Sequence, residues 1–278
     1  MKKYFMYAVA AVATMSLASC MNEEDMFNQE KGNKGEGYIS LNLSADRALE
    51  TRTVTDLSAS DAASWYVEVK NSSDAVAMAQ AQVGTLAQQA FAAPNTYKVY
   101  VSSHQNLAAA LAASSDSEIG AAYFEGKDEN VSVTVAGTAT ATCACGTAKN
   151  ARLQVQVGSF SGTINSLTVA GSDGASGTRT VTFKDASTAT DNMSKTAYFK
   201  ALDALTYTIN YTINGKTNTY TNSTPLFLDA ATTNTLSIVS NQNGSISLTI
   251  SYDPKFGTGK TETVTIDAAT GNVVTPAP

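Results

Sequence analysis

The chain has 278 residues, enough for one large or two ordinary domains. Hydrophobic residues make up 43% and charged residues only 15%, so a core can form while Thr, Ser, Asn and Gly carry the polarity, a balance suited to short strands joined by turns. The formal net charge is −6, with one His and no basic cluster beyond the first residues, which argues against a nucleic-acid partner and against electrostatic docking on anionic lipid.

Residues 1–20 read MKKYFMYAVAAVATMSLASC. Lys2 and Lys3 form a positive start, and Tyr4 to Leu17 is mostly apolar but shorter than the roughly 20 residues a spanning helix needs. Leu17-Ala18-Ser19-Cys20 then resembles the lipobox of bacterial lipoproteins: an aliphatic residue, two small ones and a Cys. The expectation is a signal peptide over 1–19 and lipid attachment at Cys20, whose thiolate is the nucleophile that accepts the lipid. The alternative is a plain secretory signal with an incidental Cys. Without Lys2 and Lys3 the balance is 16 basic to 24 acidic residues, or −8.

Met21-Asn22-Glu23-Glu24-Asp25 follows at once. This acidic run resembles the export signal that takes lipoproteins of Bacteroidetes-type bacteria to the outer cell surface, although a solvated tether would look the same. Asn28 to Gly37 is polar and Gly-rich, so residues 20–36 are expected to form an acidic, Gly-rich tether.

Strand patterns dominate the rest. Residues 38–43 (YISLNL), 65–69 (WYVEV), 96–102 (TYKVYVS), 131–135 (VSVTV) and 152–157 (RLQVQV) alternate apolar with polar. Further strands are expected at 163–169, 178–183 and 206–213. Asn214-Gly215 marks a tight turn into 216–221, the clearest hairpin. Late strands are expected at 235–239, 245–252 and 261–266. A short helix suits 105–113 (QNLAAALAA), and 79–91 has helical spacing interrupted by Gly84. Many short strands between turn signals indicate an all-β chain of two tandem β-sandwich domains. A break near 146–150 (GTAKN) sets the expected domains at 37–148 and 149–278.

A set of ordered landmarks runs through the first half. Tyr38-Ile39-Ser40-Leu41-Asn42-Leu43 opens after a Gly, a Pro leads into Thr96-Tyr97-Lys98-Val99-Tyr100-Val101, and Tyr123-Phe124-Glu125-Gly126-Lys127 precedes Val131-Ser132-Val133-Thr134-Val135. A Cys then sits shortly before Ala148-Lys149-Asn150-Ala151-Arg152-Leu153. In this the chain resembles a family of Bacteroidetes lipoprotein domains of unknown function, within or near the fimbrillin-like group. It departs from that pattern in having Ala121 and Ala122, not Pro, before Tyr123. The broader resemblance implies two tandem sandwiches of transthyretin-like or Ig-like, fimbrillin-type architecture, cleavage after an Arg near the first strand, and a groove filled by strand addition from the next subunit. Arg47-Ala48 and Arg52-Thr53 are the candidate cleavage positions; two ordinary loop arginines are the plain alternative.

No catalytic constellation emerges. His104, the lone histidine, has no nucleophile elbow or carboxylate pattern around it and reads as a loop residue. Cys143-Ala144-Cys145 lies in an alternating small-residue run, TATATCAC. Two thiols do not make a zinc site, so small buried side chains are the reading, with a redox or soft-metal role as the alternative. Gly171 to Gly177 is Gly-rich without a following helix and Lys-Ser/Thr, hence a strand connection and not a phosphate loop. Tyr207 and Tyr211 share a strand face and suit core packing or stacking on a sugar.

The sequence therefore points to a non-enzymatic lipoprotein, exposed on the cell surface and anchored in the outer membrane, in adhesion or as a fimbria-like structural component. The alternative is a glycan-binding surface lipoprotein serving nutrient uptake, and the periplasmic face is the alternative location. Its expected partners are the membrane through the lipid, and other surface or fimbrial subunits or glycans. No cofactor or metal is implied.

Overall fold

The computed structural model describes residues 35–45, 55–56, 59–160, 162–213, 215–222, 225–240, 245–252, 261–267 and 273–274. The first strands are β1 (Gly35–Ala45) and β2 (Thr55–Asp56), followed by a short helix α1 (Ala59–Ala63). Then come β3 (Tyr66–Asn71), β4 (Val76–Gln82), β5 (Ala90–Ala93) and β6 (Asn95–Ser102). Helix α2 (Leu107–Ala112) and β7 (Glu118–Ile119) precede β8 (Glu125–Val133) and β9 (Thr138–Cys145).

The second half holds β10 (Asn150–Val157), β11 (Gly162–Ser172), β12 (Thr178–Asp185), β13 (Thr190–Asp191), β14 (Thr196–Lys200) and β15 (Thr206–Ile213). It ends with β16 (Lys216–Thr221), β17 (Thr233–Ser240), β18 (Ser245–Tyr252), β19 (Thr261–Asp267) and β20 (Val273–Val274). The protein is all-β, as its alternating patterns required.

The chain forms two compact units. The first gathers β1 with the described parts of Arg52–Gln105 and Phe124–Gly146; the second gathers those of Asn106–Tyr123 and Thr147–Pro278. The excursion through α2 and β7 thus belongs with the second unit.

In the first unit, β1 pairs in parallel with β9 on one side; on the other it pairs antiparallel with β5 near its start and with β2 at its end. The second sheet runs β4-β3-β6-β8, all antiparallel. Leu43, Phe91, Ala141, Cys143 and Cys145 of the first sheet and Val67, Val69, Tyr97, Val99 and Val131 of the second are buried. The sheets meet face to face: Phe91 and Tyr97 have ring centroids 5.2 Å apart, and the Tyr97 hydroxyl donates to Ala92 O at 2.7 Å. This is a β-sandwich, in which period-two burial from two sheets makes one core.

The second unit repeats that plan. β10 sits between β14, antiparallel, and β17, parallel, as β1 sits between β5 and β9. The order β12-β11-β15-β16 reproduces β4-β3-β6-β8, again all antiparallel. Its core joins both sheets through Leu153, Leu167, Phe183, Phe199, Tyr211 and Leu236, each at 0% exposure. Beyond the shared plan, β18, β19 and β20 extend the sheet from β17 as an antiparallel meander.

The expected helix at 105–113 is α2, whose N-cap Asn106 accepts a hydrogen bond from Ala109 N at 2.8 Å. Helical spacing at 79–91 is not realised. Val76–Gln82 pairs with β3, and a 3-10 turn at Val83–Thr85 leads toward β5. Sheet pairing overrides the helix preference of Ala and Gln here. Gly215, at φ +74, makes the expected turn between β15 and β16; Asn214 lies outside the described residues.

Candidate functional site: the slot of the first strand

β1 is the first described segment of the chain, yet it is an interior strand. Its parallel register with β9 runs from Tyr38↔Thr138 to Ala45↔Cys145. Antiparallel pairing with β5 covers Gly35 to Tyr38. Tyr38 N donates to Gly137 O at 2.8 Å, and Ala136 N donates to Glu36 O at 2.7 Å, tying the start of β1 to the β8–β9 turn. The Ser40 hydroxyl donates to Ala139 O at 3.1 Å and lies 2.9 Å from the Thr140 hydroxyl.

The alternation of YISLNL produces this strand, but its side chains anchor it lightly. Leu43 and Ala45 are buried, whereas Tyr38 to Asn42 are only half-buried. Gly37 is needed sterically: a Cβ there would meet Thr134 O and would come within 2.5 Å of Val133 Cγ1. Backbone ladders therefore supply much of what holds β1. A vacated slot would expose unpaired groups of β9 along one wall and of β5 along part of the other. At about 3.3 Å per residue, eleven residues span roughly 36 Å.

The outer edge of β9, away from β1, is guarded. Asp128 Oδ2 accepts the Thr142 backbone N–H at 2.9 Å. The sequence reading missed this role, because a lone Asp in a polar stretch carries no edge signal.

Cys143 and Cys145 are both free, fully buried and on one face of β9. Burial pushes the Cys143 thiol up to about 12, with the neighbouring Cys145 adding to it. Such thiols are small core groups and poor nucleophiles. A Cβ on Gly126 would come within 2.5 Å of Cys145 Sγ, which shows how tightly that thiol is packed.

The other candidates are placed as follows. His104 is half-buried, its Nδ1 lies 3.1 Å from the Ser103 hydroxyl, and burial lowers its pKa, favouring neutral imidazole. The Ser103 hydroxyl accepts the Phe124 backbone N–H at 3.0 Å, so it serves the backbone. Tyr207 and Tyr211 are 2% and 0% exposed and lie in the second unit's core, out of reach of a sugar. Gly171 to Gly177 joins β11 to β12, with Asp173 Oδ1 accepting from Ala175 N at 2.8 Å and Gly177 N at 3.0 Å. Among the described residues no group of three or more His, Cys, Asp or Glu is gathered as a metal site, and no helix is long and apolar enough to cross a membrane. Cys20, Arg47 and Arg52 lie outside the described residues.

These features define a class: a tandem all-β protein whose first strand occupies a slot between two others. The chain belongs to the family described as Domain of unknown function (DUF4493), which matches it over residues 35–268. No curated protein matches it. Two crystal structures, each described as a "putative cell adhesion protein", resemble it. The Bacteroides eggerthii protein has 11% identity and a TM-score of 0.43, covering 83% of this chain and 95% of that one. The Bacteroides ovatus protein has 8% identity and a TM-score of 0.37, covering 82% and 98%. The pilus adhesin SpaC of Lactobacillus rhamnosus GG gives 14% identity and a TM-score of 0.26, covering 73% of this chain and 31% of that one.

Proposed function

We propose that this chain is a non-enzymatic surface lipoprotein, carried outward by lipid on Cys20, that serves in adhesion as a fimbria-like structural subunit. The observation that carries this reading is the position of β1. It fills an interior place in its sheet, and the candidate cleavage positions Arg47 and Arg52 follow just after its last residue, Ala45. Cleavage there separates β1 and the lipid anchor from the rest of the chain. The slot it leaves presents unpaired edges that an extended segment of a neighbouring subunit fills by strand addition.

In this reading the signal peptide is residues 1–19, the tether is 20–36, and the outer membrane is the station from which mature subunits assemble. The glycan-binding alternative gains nothing from Tyr207 and Tyr211, which are core residues.

The experiment is fractionation of intact cells with the wild type, Cys20→Ala and Arg47→Ala/Arg52→Ala. Cys20→Ala should lose surface display. The double Arg variant should keep the lipid but remain uncut and fail to enter sheared, detergent-resistant multimers. Multimers formed unchanged by the uncut variant would refute the role.

A further inference from the structure

β1 and β10 hold the same place in their units, between a parallel and an antiparallel neighbour, but they end differently. On β1 the antiparallel side is taken twice, by β5 at Gly35 to Tyr38 and by β2 at Ser44 and Ala45. Leu43 and Ala45, on the core face of that end, are buried. On β10 the ladder to β14 stops at Gln154↔Thr196. The chain before β14 turns away there, with Lys195 N donating to Asn192 O at 2.9 Å, and the short strand β13 pairs with β12 instead. Among the described residues no strand does for β10 what β2 does for β1.

The end of β10 is therefore open in two ways. Arg152 N and Gly158 N donate toward β17, to Thr232 O and Ile238 O, both at 2.9 Å. Alternate residues of a strand aim their main-chain groups to opposite sides, so those of Val155 and Val157 aim at the open side. Val157 also shares the core face with Leu153 and Val155, yet it is 43% exposed. Beside it lies a cavity of about 460 Å³ walled by Val157, Phe160, Ile164 and Met193, with Thr163 and Lys184 in its lining. Lys184 is the charge at this cavity; its ammonium lies 3.3 Å from the largely exposed carboxylate of Asp191.

We propose that this open end of the second unit binds a short acidic peptide in extended form. The peptide lies antiparallel to β10 and pairs with the main chain of Val155 and Val157. One apolar side chain enters the cavity and a neighbouring carboxylate meets Lys184. In this mode main-chain hydrogen bonds supply affinity and the pocket supplies specificity. The first unit shows the chemistry of such a segment. At the corresponding place on β1 stands β2, whose Thr55 and Asp56 are flanked in sequence by Val54 and Leu57. In a chain of net charge −6, a cation at the cavity selects an acidic segment over a basic one. The site is distinct from the β1 slot and needs neither lipid nor cleavage, so it stands or falls independently of the assembly role.

The probe is a synthetic peptide of residues 53–58, TVTDLS, blocked at both ends and carrying a neutral fluorophore. Added to the full-length chain in mild detergent, it should give saturable fluorescence polarisation with a dissociation constant of about 100 μM or tighter. Lys184→Gln should weaken binding about threefold, the scale of one exposed charge pair. Asn in place of the peptide's Asp should cost the wild type as much and cost Lys184→Gln nothing further. Lys216→Gln, at an exposed residue of β16, should bind like the wild type. With benzoylphenylalanine in place of the peptide's Leu, photocrosslinks read by mass spectrometry should fall on Met193 and the cavity wall around it. No saturable binding, equal losses from Lys184→Gln and Lys216→Gln, or crosslinks confined to the first unit would overturn the proposal.

Discussion

Asp128 Oδ2 lies 2.9 Å from the backbone nitrogen of Thr142, and this one bond decides the character of the edge beyond β9. The N–H of Thr142 points away from β1, where a further strand would otherwise pair. The second unit shows what such an edge attracts. β17 holds the equivalent place there, and β18 pairs along it from Asn234↔Tyr252 to Ser240↔Ile246.

Asp128→Ala should therefore speed amide exchange at Thr142 by more than at Ala141, whose N–H faces β1. The lost charge-assisted bond is exposed, so the stability change should be small, about 1 kcal/mol in a denaturant titration. Unchanged exchange at Thr142 would show that the bond has no hold on the edge.

Gly37→Val should destabilise the first unit by about 1–3 kcal/mol, since its Cβ would press on Thr134 O and Val133 Cγ1 at the β8–β9 turn. The denaturant midpoint of the first transition should fall while that of the second unit stays. Gly215→Ala is the contrast: nothing lies within 4 Å, and only its φ of +74 penalises a side chain.

Cys143 should resist a thiol reagent at pH 8 in the folded protein and react once the chain is unfolded. Its folded pKa is raised to about 12 from an ordinary value of 9.0. Between those values the unfolded chain gives up a proton that the folded chain keeps. The thiol's contribution is thus fully present below pH 9 and is lost as pH rises through this window. Rapid labelling at pH 8 without unfolding would contradict the burial.

Asn150→Leu should cost roughly 2 kcal/mol or more. Asn150, itself 1% exposed, accepts the Tyr123 N–H at its Oδ1 at 3.0 Å and donates from its Nδ2 to Ala121 O at 2.8 Å. A Leu leaves both backbone groups without that partner. Thermal melts of the variant should show the loss, and limited proteolysis should begin within 113–123.

Much of the architecture was legible. β6, β10 and β15 bury alternate residues, so their sequences alternate cleanly. β14 (TAYFK) was missed because Ala197, Tyr198 and Phe199 are buried in succession, which erases the period of two. β4 and β5 were missed because Ala and Gln carry helical preference, while their pairing comes from distant residues. The equivalence of the two units was hidden for the same reason: it resides in parallel pairs such as Leu43↔Cys143 and Val155↔Leu236, which unlike sequences satisfy equally well. The slot followed from the resemblance of the first strand, but its guard Asp128 and its fitted Gly37 needed coordinates.

The most direct test of the account is the N-terminus of the protein recovered from sheared cell-surface material, read by intact mass and terminal sequencing. The account predicts chains beginning at Ala48 or Thr53, without β1 and without lipid, in multimers. Chains that begin at a lipidated Cys20 and remain monomeric would contradict it.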